Sequence, residues 1–198
     1  MNRIIKKWHG LGVQEKLHIL IQGSLIILFF LSMEWVIARF EEQIMSSAEV
    51  RADETADGLI NGMNMLMLTG KISDPENRKL LLNKMQQSQG IKELRIIRGD
   101  SVIAQFGKGL PEEQALDAMD REVLQNGKVV FKRIDVSNGP PLLRVVVPFI
   151  AQENFRGTNC LNCHATRAGS VNGAASVTID LSKEEATLQE IKNWLWAG

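Results

Sequence analysis

Histidine and cysteine are both scarce in this chain of 198 residues. The histidines are His9, His18 and His164, and the cysteines are Cys160 and Cys163. A structural zinc site in a protein is held by four Cys or His ligands. The neighbourhood of the two cysteines offers three such side chains, so the sequence does not favour a structural zinc site.

Net charge and enzyme motifs are also missing. The chain carries 23 basic and 23 acidic side chains, so bulk electrostatics give no reason to expect a nucleic-acid partner. It contains no Walker-type glycine loop, no nucleophile elbow and no paired-carboxylate motif. We therefore predict neither nucleic-acid binding nor an enzyme.

The segment that holds both cysteines has the form C-x-x-C-H. It reads Cys-Leu-Asn-Cys-His over residues 160–164, which is the attachment signature of a c-type haem. Two thiols at this spacing can form thioethers with the two vinyl groups of one porphyrin, and the histidine that follows can ligate the iron. The sequence therefore predicts one covalent haem c, bound by Cys160, Cys163 and His164.

Two other interpretations of the cysteine pair stay open. A thioredoxin-type redox pair begins a helix after a strand, in a βαβ unit, whereas residues 154–159 before Cys160 have the composition of a loop. A plain disulfide is the second alternative, but it leaves His164 unexplained.

Two arginines, Arg156 and Arg167, flank the motif. A guanidinium group can pair with a carboxylate such as a haem propionate. We therefore add both arginines to the predicted haem-binding residues, and the alternative is that they are solvated loop charges.

A long apolar run follows a basic N-terminus. Residues 17–38 are dominated by Ile, Leu and Phe, and at about 1.5 Å per residue they are long enough to cross a bilayer core of about 30 Å. Residues 1–16 carry four basic side chains against one acid, which predicts a cytoplasmic N-terminus and an external location for everything after Arg39. The alternative is a cleaved signal peptide, but no good small-x-small cleavage site follows the run.

Residues 39–70 continue as a predicted stalk helix. Apolar or small residues recur on one face, at positions 40, 44, 48, 52, 56, 60, 63 and 67. This stripe predicts a homodimer through the stalk. The alternative is that the stripe packs on the sheet of its own domain.

The remainder alternates between helical and strand patterns. Residues 71–182 predict an α+β domain with helices over 76–88 and 111–124, and residues 183–198 predict a C-terminal amphipathic helix. We expect a five-stranded antiparallel sheet in hairpin order, with strands over residues 92–98, 101–106, 128–135, 142–151 and 173–181.

Three segments resemble a known family. They are residues 64–70 (Asn-Met-Leu-Met-Leu-Thr-Gly), residues 93–98 together with Gln105-Phe106-Gly107, and residues 160–164 running into 173–177. Over roughly residues 39–192 the chain resembles the periplasmic haem-c sensor domains, PAS-like or single-Cache-like in fold, of bacterial methyl-accepting chemotaxis proteins and sensor kinases. The resemblance implies a haem-based redox or small-ligand sensor in the inner membrane, often dimeric, with a methionine able to take the sixth iron position.

The sixth iron ligand cannot be a second histidine if the membrane topology is as predicted. His9 and His18 would then lie on the cytoplasmic side of the anchor, which leaves methionine, water, a lysine or an open site. With the resemblance added, Met67 is the first candidate and Met63 the second. The two methionines are four residues apart and share a helix face, whereas Met65 points away.

Two functions remain for such a protein. One is a haem-based sensor, whose output another chain would supply because no second membrane helix or signalling module precedes Gly198. The other is a tethered cytochrome that passes electrons between membrane and periplasmic partners. The resemblance favours sensing, and the missing output favours electron transfer.

Overall fold

The computed structural model describes residues 12–88, 90–137 and 139–197. These residues fall into two units, one formed by residues up to 44 together with those from 187 onward, and the other by residues 45–186. The two units are described separately below.

Helix α1, Val13–Leu68, includes both the predicted anchor and the predicted stalk. Its apolar part has a mean hydropathy of 1.9, and among the described residues it is the one helix long and apolar enough to cross a membrane. Ser24 and Ser32 in this part donate their hydroxyl protons to carbonyls of the preceding turn. Because these hydroxyls are satisfied within the helix, they do not oppose insertion into lipid.

The first unit also contains the end of the last helix, α5, Ser182–Ala197. The indole of Trp196 stacks on the ring of Phe30 in α1, with centroids 5.9 Å apart. Met33, Ile37 and Leu188 are buried within the same unit. The C-terminal residues therefore pack against the apolar part of α1.

The second unit is an α+β domain built on a four-stranded antiparallel sheet. Its further elements are α2 (Pro75–Gln86), β1 (Ile91–Arg98), α3 (Asp100–Phe106), α4 (Ala118–Asn126), β2 (Val130–Ile134), β3 (Leu142–Ile150) and β4 (Val171–Asp180). The strand order is β1-β4-β3-β2. Strands β3 and β4 are therefore central, and the chain between them carries the C-x-x-C-H motif.

The predicted strand over residues 101–106 is wrong, because this segment is helix α3. Gly99 lies at its N-cap, and Gly107 ends it with a φ of 80°. Strand β1 is at the edge of the sheet and pairs with β4, from Ile91 opposite Ile179 to Arg98 opposite Gly173, and not with residues 101–106. The described residues consequently contain four strands, and β1 does not pair with its neighbour in sequence.

The predicted helix over residues 111–124 is interrupted. A 3₁₀ turn covers Pro111–Glu113, and α4 starts later because Asp117 caps it by accepting a hydrogen bond from the Asp120 amide. Such a side-chain cap favours a new helix start at that position.

The main core lies between α1 and one face of the sheet. Buried side chains of α1 at positions 48, 52, 56, 59, 60 and 63 pack with those of β3 and β4, such as Val145, Val177 and Ile179. Three of the helix residues are alanines, which let the helix approach the sheet closely. Much of the predicted dimer stripe is thus buried against its own sheet, as the alternative expected, and the dimer stays a prediction.

Candidate haem site

The C-x-x-C-H motif lies in a loop whose two ends are tied together at the sheet. Ala151 donates to Ser170 O, and Gly169 donates to Ala151 O, both at 2.8 Å. The motif itself begins as a 3₁₀ turn, Cys160–Asn162, capped by the Asn159 side chain. The amide of His164 donates to Cys160 O at 3.0 Å, so the turn fixes where the histidine leaves the loop.

The two cysteines have different surroundings. Both are free thiols; Cys160 is buried and Cys163 is exposed. Cys163 lines a cavity, described next, whereas Cys160 lies in the core cluster that also contains Met63 and Phe149 of the cavity wall. The thiol of Cys160 is therefore beside the cavity wall rather than in it.

The cavity lies between α1, α3, the sheet and the motif loop. Its volume is about 450 Å³ and its lining is mainly apolar, which is typical of a small-molecule or cofactor site of roughly 300–1,000 Å³. Its wall includes Cys163, His164, Met63 and Met67. The structure thus brings together four of the residues that the sequence singled out.

His164 has the properties of an available metal ligand. Its Nδ1 is buried and has no hydrogen-bond partner among the described residues. Burial also lowers the pKa of His164, which favours the neutral imidazole, the form that binds metals. A half-buried neutral imidazole at an apolar cavity fits the axial position of a haem iron.

The methionines of α1 are arranged as their helical spacing predicts. Met63 and Met67 line the cavity, and Met65 is 52% exposed. A thioether opposite an imidazole is one of the established ligand pairs of haem iron. The donor set at the cavity therefore fits a haem with one histidine and one methionine.

The two arginines that flank the motif do not line this cavity. Arg156 forms an ion pair with Asp57, with N–O distances of 2.5 and 2.7 Å, on a half-exposed surface. Arg167 is exposed. Their predicted role towards haem propionates has no geometric support at the cavity.

Two other arginines line the cavity, and the sequence analysis missed them. Arg78 of α2 and Arg98 of β1 both bind the buried carboxylate of Glu113, at 2.5 and 2.8 Å. Burial by itself would raise the pKa of Glu113, but the hydrogen bonds from Arg78 and the Leu110 amide and the charge of Arg98 lower it below its ordinary value. Two cations and one anion leave one positive charge at the cavity wall.

The Arg98 guanidinium also has N–H donors that make no hydrogen bond within the described ranges. Arg98 Nη1 donates to the carbonyls of Phe106 and Gly107, but Nη2 makes no hydrogen bond within the described ranges. No sequence signal pointed to this pair, because Arg78 is distant in the chain from the motif. Carboxylates of a cavity ligand are the groups that such a guanidinium would bind.

The motif loop is also bonded directly to α1. The Asn64 amide nitrogen donates to Thr158 Oγ1 at 3.2 Å, and Asp57 holds Arg156 as described. Asn64 is buried, and it lies between the two cavity methionines in sequence. Displacement of the loop would therefore act on α1 through these contacts.

In the described ranges, no group of three or more His, Cys, Asp or Glu side chains could hold a bare metal ion. No known protein-family model and no curated protein matches this chain. The site is therefore interpreted from its own geometry and from the motif.

Proposed function

We propose that this chain is a membrane-anchored, mono-haem c-type cytochrome domain that acts as a haem-based redox or small-ligand sensor, with a PAS-like or single-Cache-like fold. One observation carries the proposal: Cys163 and His164 of the C-x-x-C-H motif line the same apolar cavity as two methionines of α1. The motif and the cavity are independent indications of one site. The motif is a feature of five consecutive residues, whereas the cavity is formed by residues from distant parts of the chain.

The residues that would hold the haem follow from this geometry. Cys160 and Cys163 would form the thioether bonds, and His164 together with Met67 or Met63 would ligate the iron. Arg78 and Arg98, and not the flanking arginines, would bind the haem carboxylates. When bound, the haem supplies an iron that changes oxidation state or exchanges an axial ligand.

The proposed topology places the cavity outside the cytoplasm. Residues 17–38 anchor the chain in the bacterial inner membrane, with the N-terminus in the cytoplasm and the haem domain in the periplasm, where c-type haem is attached. We also propose a homodimer and a separate signalling partner. The long apolar α1 supports the anchor, and the charge of its flanks supports the orientation. The homodimer and the signalling partner rest on the family resemblance alone.

Sensing is favoured over electron transfer by the connections of the site to α1. Both candidate methionines lie on this helix, and the motif loop bonds to it through Asn64 and Asp57. A change of axial ligation at a methionine would therefore act directly on the helix that enters the membrane. A simple electron carrier has no need of such connections.

Electron transfer by a tethered cytochrome is the second candidate. Cys163 and Phe106 are exposed at the cavity wall, so a haem edge there would be open to a redox partner. Absorption spectra with and without carbon monoxide separate the two functions. An iron that keeps six ligands in both oxidation states and binds no gas supports electron transfer, whereas an iron that loses or exchanges a ligand when its oxidation state changes, or when the gas is added, supports sensing.

The cofactor itself is tested by removing both thiols. We expect Cys160→Ala with Cys163→Ala, made in a host that attaches c-type haem, to abolish haem staining on a denaturing gel. Asn162→Ala changes an x position of the same motif and should keep the stain. Stain that persists in the double variant would contradict covalent attachment.

A further inference from the structure

The last two residues of α3 enclose His164 from two sides. The Gln105 amide nitrogen donates to Cys163 O at 2.9 Å, and the Ala165 amide donates to Gln105 Oε1 at 2.8 Å. Both halves of one side-chain amide are thus bonded to the peptide groups immediately before and after His164. These two hydrogen bonds fix the orientation of the backbone from which the imidazole projects.

Phe106 restrains the imidazole itself. Its ring meets the His164 ring edge to face, with centroids 5.5 Å apart and an interplanar angle of 85°. This is a favoured geometry for an aromatic pair. Phe106 is nevertheless 53% exposed, so the core packing of the domain does not account for its position.

The helix that carries both residues is itself anchored to the sheet. Gly99, at its N-cap, donates to Asn172 O at 2.8 Å, and Ser101 Oγ donates to Asn172 Oδ1 at 3.2 Å. At its other end, Arg98 donates to the carbonyls of Phe106 and Gly107. A side chain presented by α3 is therefore held by β1 and β4 rather than by the loop it contacts.

We propose that Gln105 and Phe106 are positioning residues for His164, holding its backbone and its ring so that the imidazole faces the cavity as an axial ligand. The proposal rests on the proposed function, because only a ligand role requires this control. Without Gln105, the Cys163 carbonyl and the Ala165 amide each lose the one hydrogen bond that the described residues give them. Supporting contacts of this kind orient the ligands of a metal site.

The test uses the full chain, purified in detergent with its haem. Gln105→Met keeps the length of the side chain and removes both hydrogen bonds, and Phe106→Leu removes the ring. Gln86→Met is the matched control, because Gln86 also donates a 2.9 Å hydrogen bond to a backbone carbonyl, but that carbonyl belongs to Lys92 and not to the motif loop.

Three measurements are made on each protein: haem stain, absorption spectra of both oxidation states with carbon monoxide added, and hydrogen exchange of the Ala165 amide. We expect Gln105→Met to keep the stain, to lose low-spin character and to bind carbon monoxide faster than wild type. Its Ala165 amide should exchange about three to ten times faster, which corresponds to the loss of one hydrogen bond. Phe106→Leu should change the spectra, and Gln86→Met should match wild type.

The outcomes separate this inference from the proposed function. A wild-type protein without stain would overturn both. A stained Gln105→Met protein with wild-type spectra would overturn the positioning role while leaving the function intact, even if its amide exchange were faster. If Gln105→Met does not accumulate, Gln105→Glu retains the acceptor for Ala165 and loses the donor to Cys163, and wild-type spectra in that variant would equally overturn the inference.

Discussion

Replacing Glu113 by glutamine should destabilise the domain strongly. The Glu113 side chain is 2% exposed, and its partner Arg78 is 5% exposed. Besides Arg78 and Arg98, its carboxylate accepts a hydrogen bond from the Leu110 amide at 3.1 Å. In the protein without haem, Glu113→Gln keeps the shape of the side chain but leaves both guanidinium groups without an anion.

The size of the effect follows from burial. Removing one partner of a buried ion pair costs about 3–5 kcal/mol, because the remaining charge is left uncompensated. Glutamine can still accept one hydrogen bond, which favours the lower end. For a chain of this length, about 3 kcal/mol corresponds to a fall in Tm of roughly 6–12 °C.

The difference between wild type and variant should depend on pH. The pKa of Glu113 is lowered in the folded state from its ordinary value of 4.5, so its ionised form stabilises the fold above that value. The contribution is lost as the pH falls through the lower, folded-state pKa. The Tm difference should therefore be full at pH 7 and shrink below about pH 4.5.

Circular dichroism is the suitable assay, since all four tryptophans lie outside residues 45–186, at positions 8, 35, 194 and 196. Glu112→Gln is the matched control, because the Glu112 side chain is exposed. A substitution at the surface should change the free energy of unfolding by no more than about 0.5 kcal/mol. A Glu113→Gln protein that melts at the same temperature as Glu112→Gln at pH 7 would refute the reasoning.

Two further predictions concern the axial ligand and the topology. Met67→Ala should convert the reduced haem from low-spin to high-spin and open it to carbon monoxide, because the thioether ligand is lost; Met63→Ala tests the second candidate, and the exposed Met65→Ala is the control. An unchanged reduced spectrum in both cavity variants would exclude methionine ligation. A reporter active only in the periplasm should work when fused after Gly198, because the basic flank keeps the N-terminus inside; activity of a cytoplasm-only reporter at that point would reverse the topology.

The local sequence pattern was sufficient to predict most strands of the sheet. The alternation of Ala175, Val177 and Ile179 predicted β4, and the regular spacing of Met63 and Met67 predicted which methionines share a face. These features depend on the period of two in strands and 3.6 in helices, which the sequence carries directly.

Residues 101–106 show where local pattern fails. The segment is short and flanked by glycines, so its local pattern is compatible with a hairpin strand and with a helix of about two turns. In the folded domain the segment is helix α3, and β1 pairs with β4 from Ile91 opposite Ile179 onward. That pairing joins segments far apart in the chain, and no local pattern records it.

The arginines at the cavity illustrate the same limit. Arg156 and Arg167 were chosen because they are close to the motif in sequence, but Arg78 and Arg98 line the cavity. Proximity along a loop does not fix where a side chain points, and a buried arginine is recognisable only from its partner, Glu113. Burial and pairing are tertiary properties.

Under the proposed topology, the position of β4 in the sheet sets an order of events during export. This strand pairs with both β1 and β3, yet it follows the C-x-x-C-H motif in the chain. If the residues after the anchor are exported in the order of the sequence, the motif emerges while β1 still lacks its partner, and such long-range pairing forms slowly. The thiols would then be accessible to the proposed haem attachment before the sheet forms, and the pairing of β4 with β1 would be the step that fixes the modified loop in the finished domain.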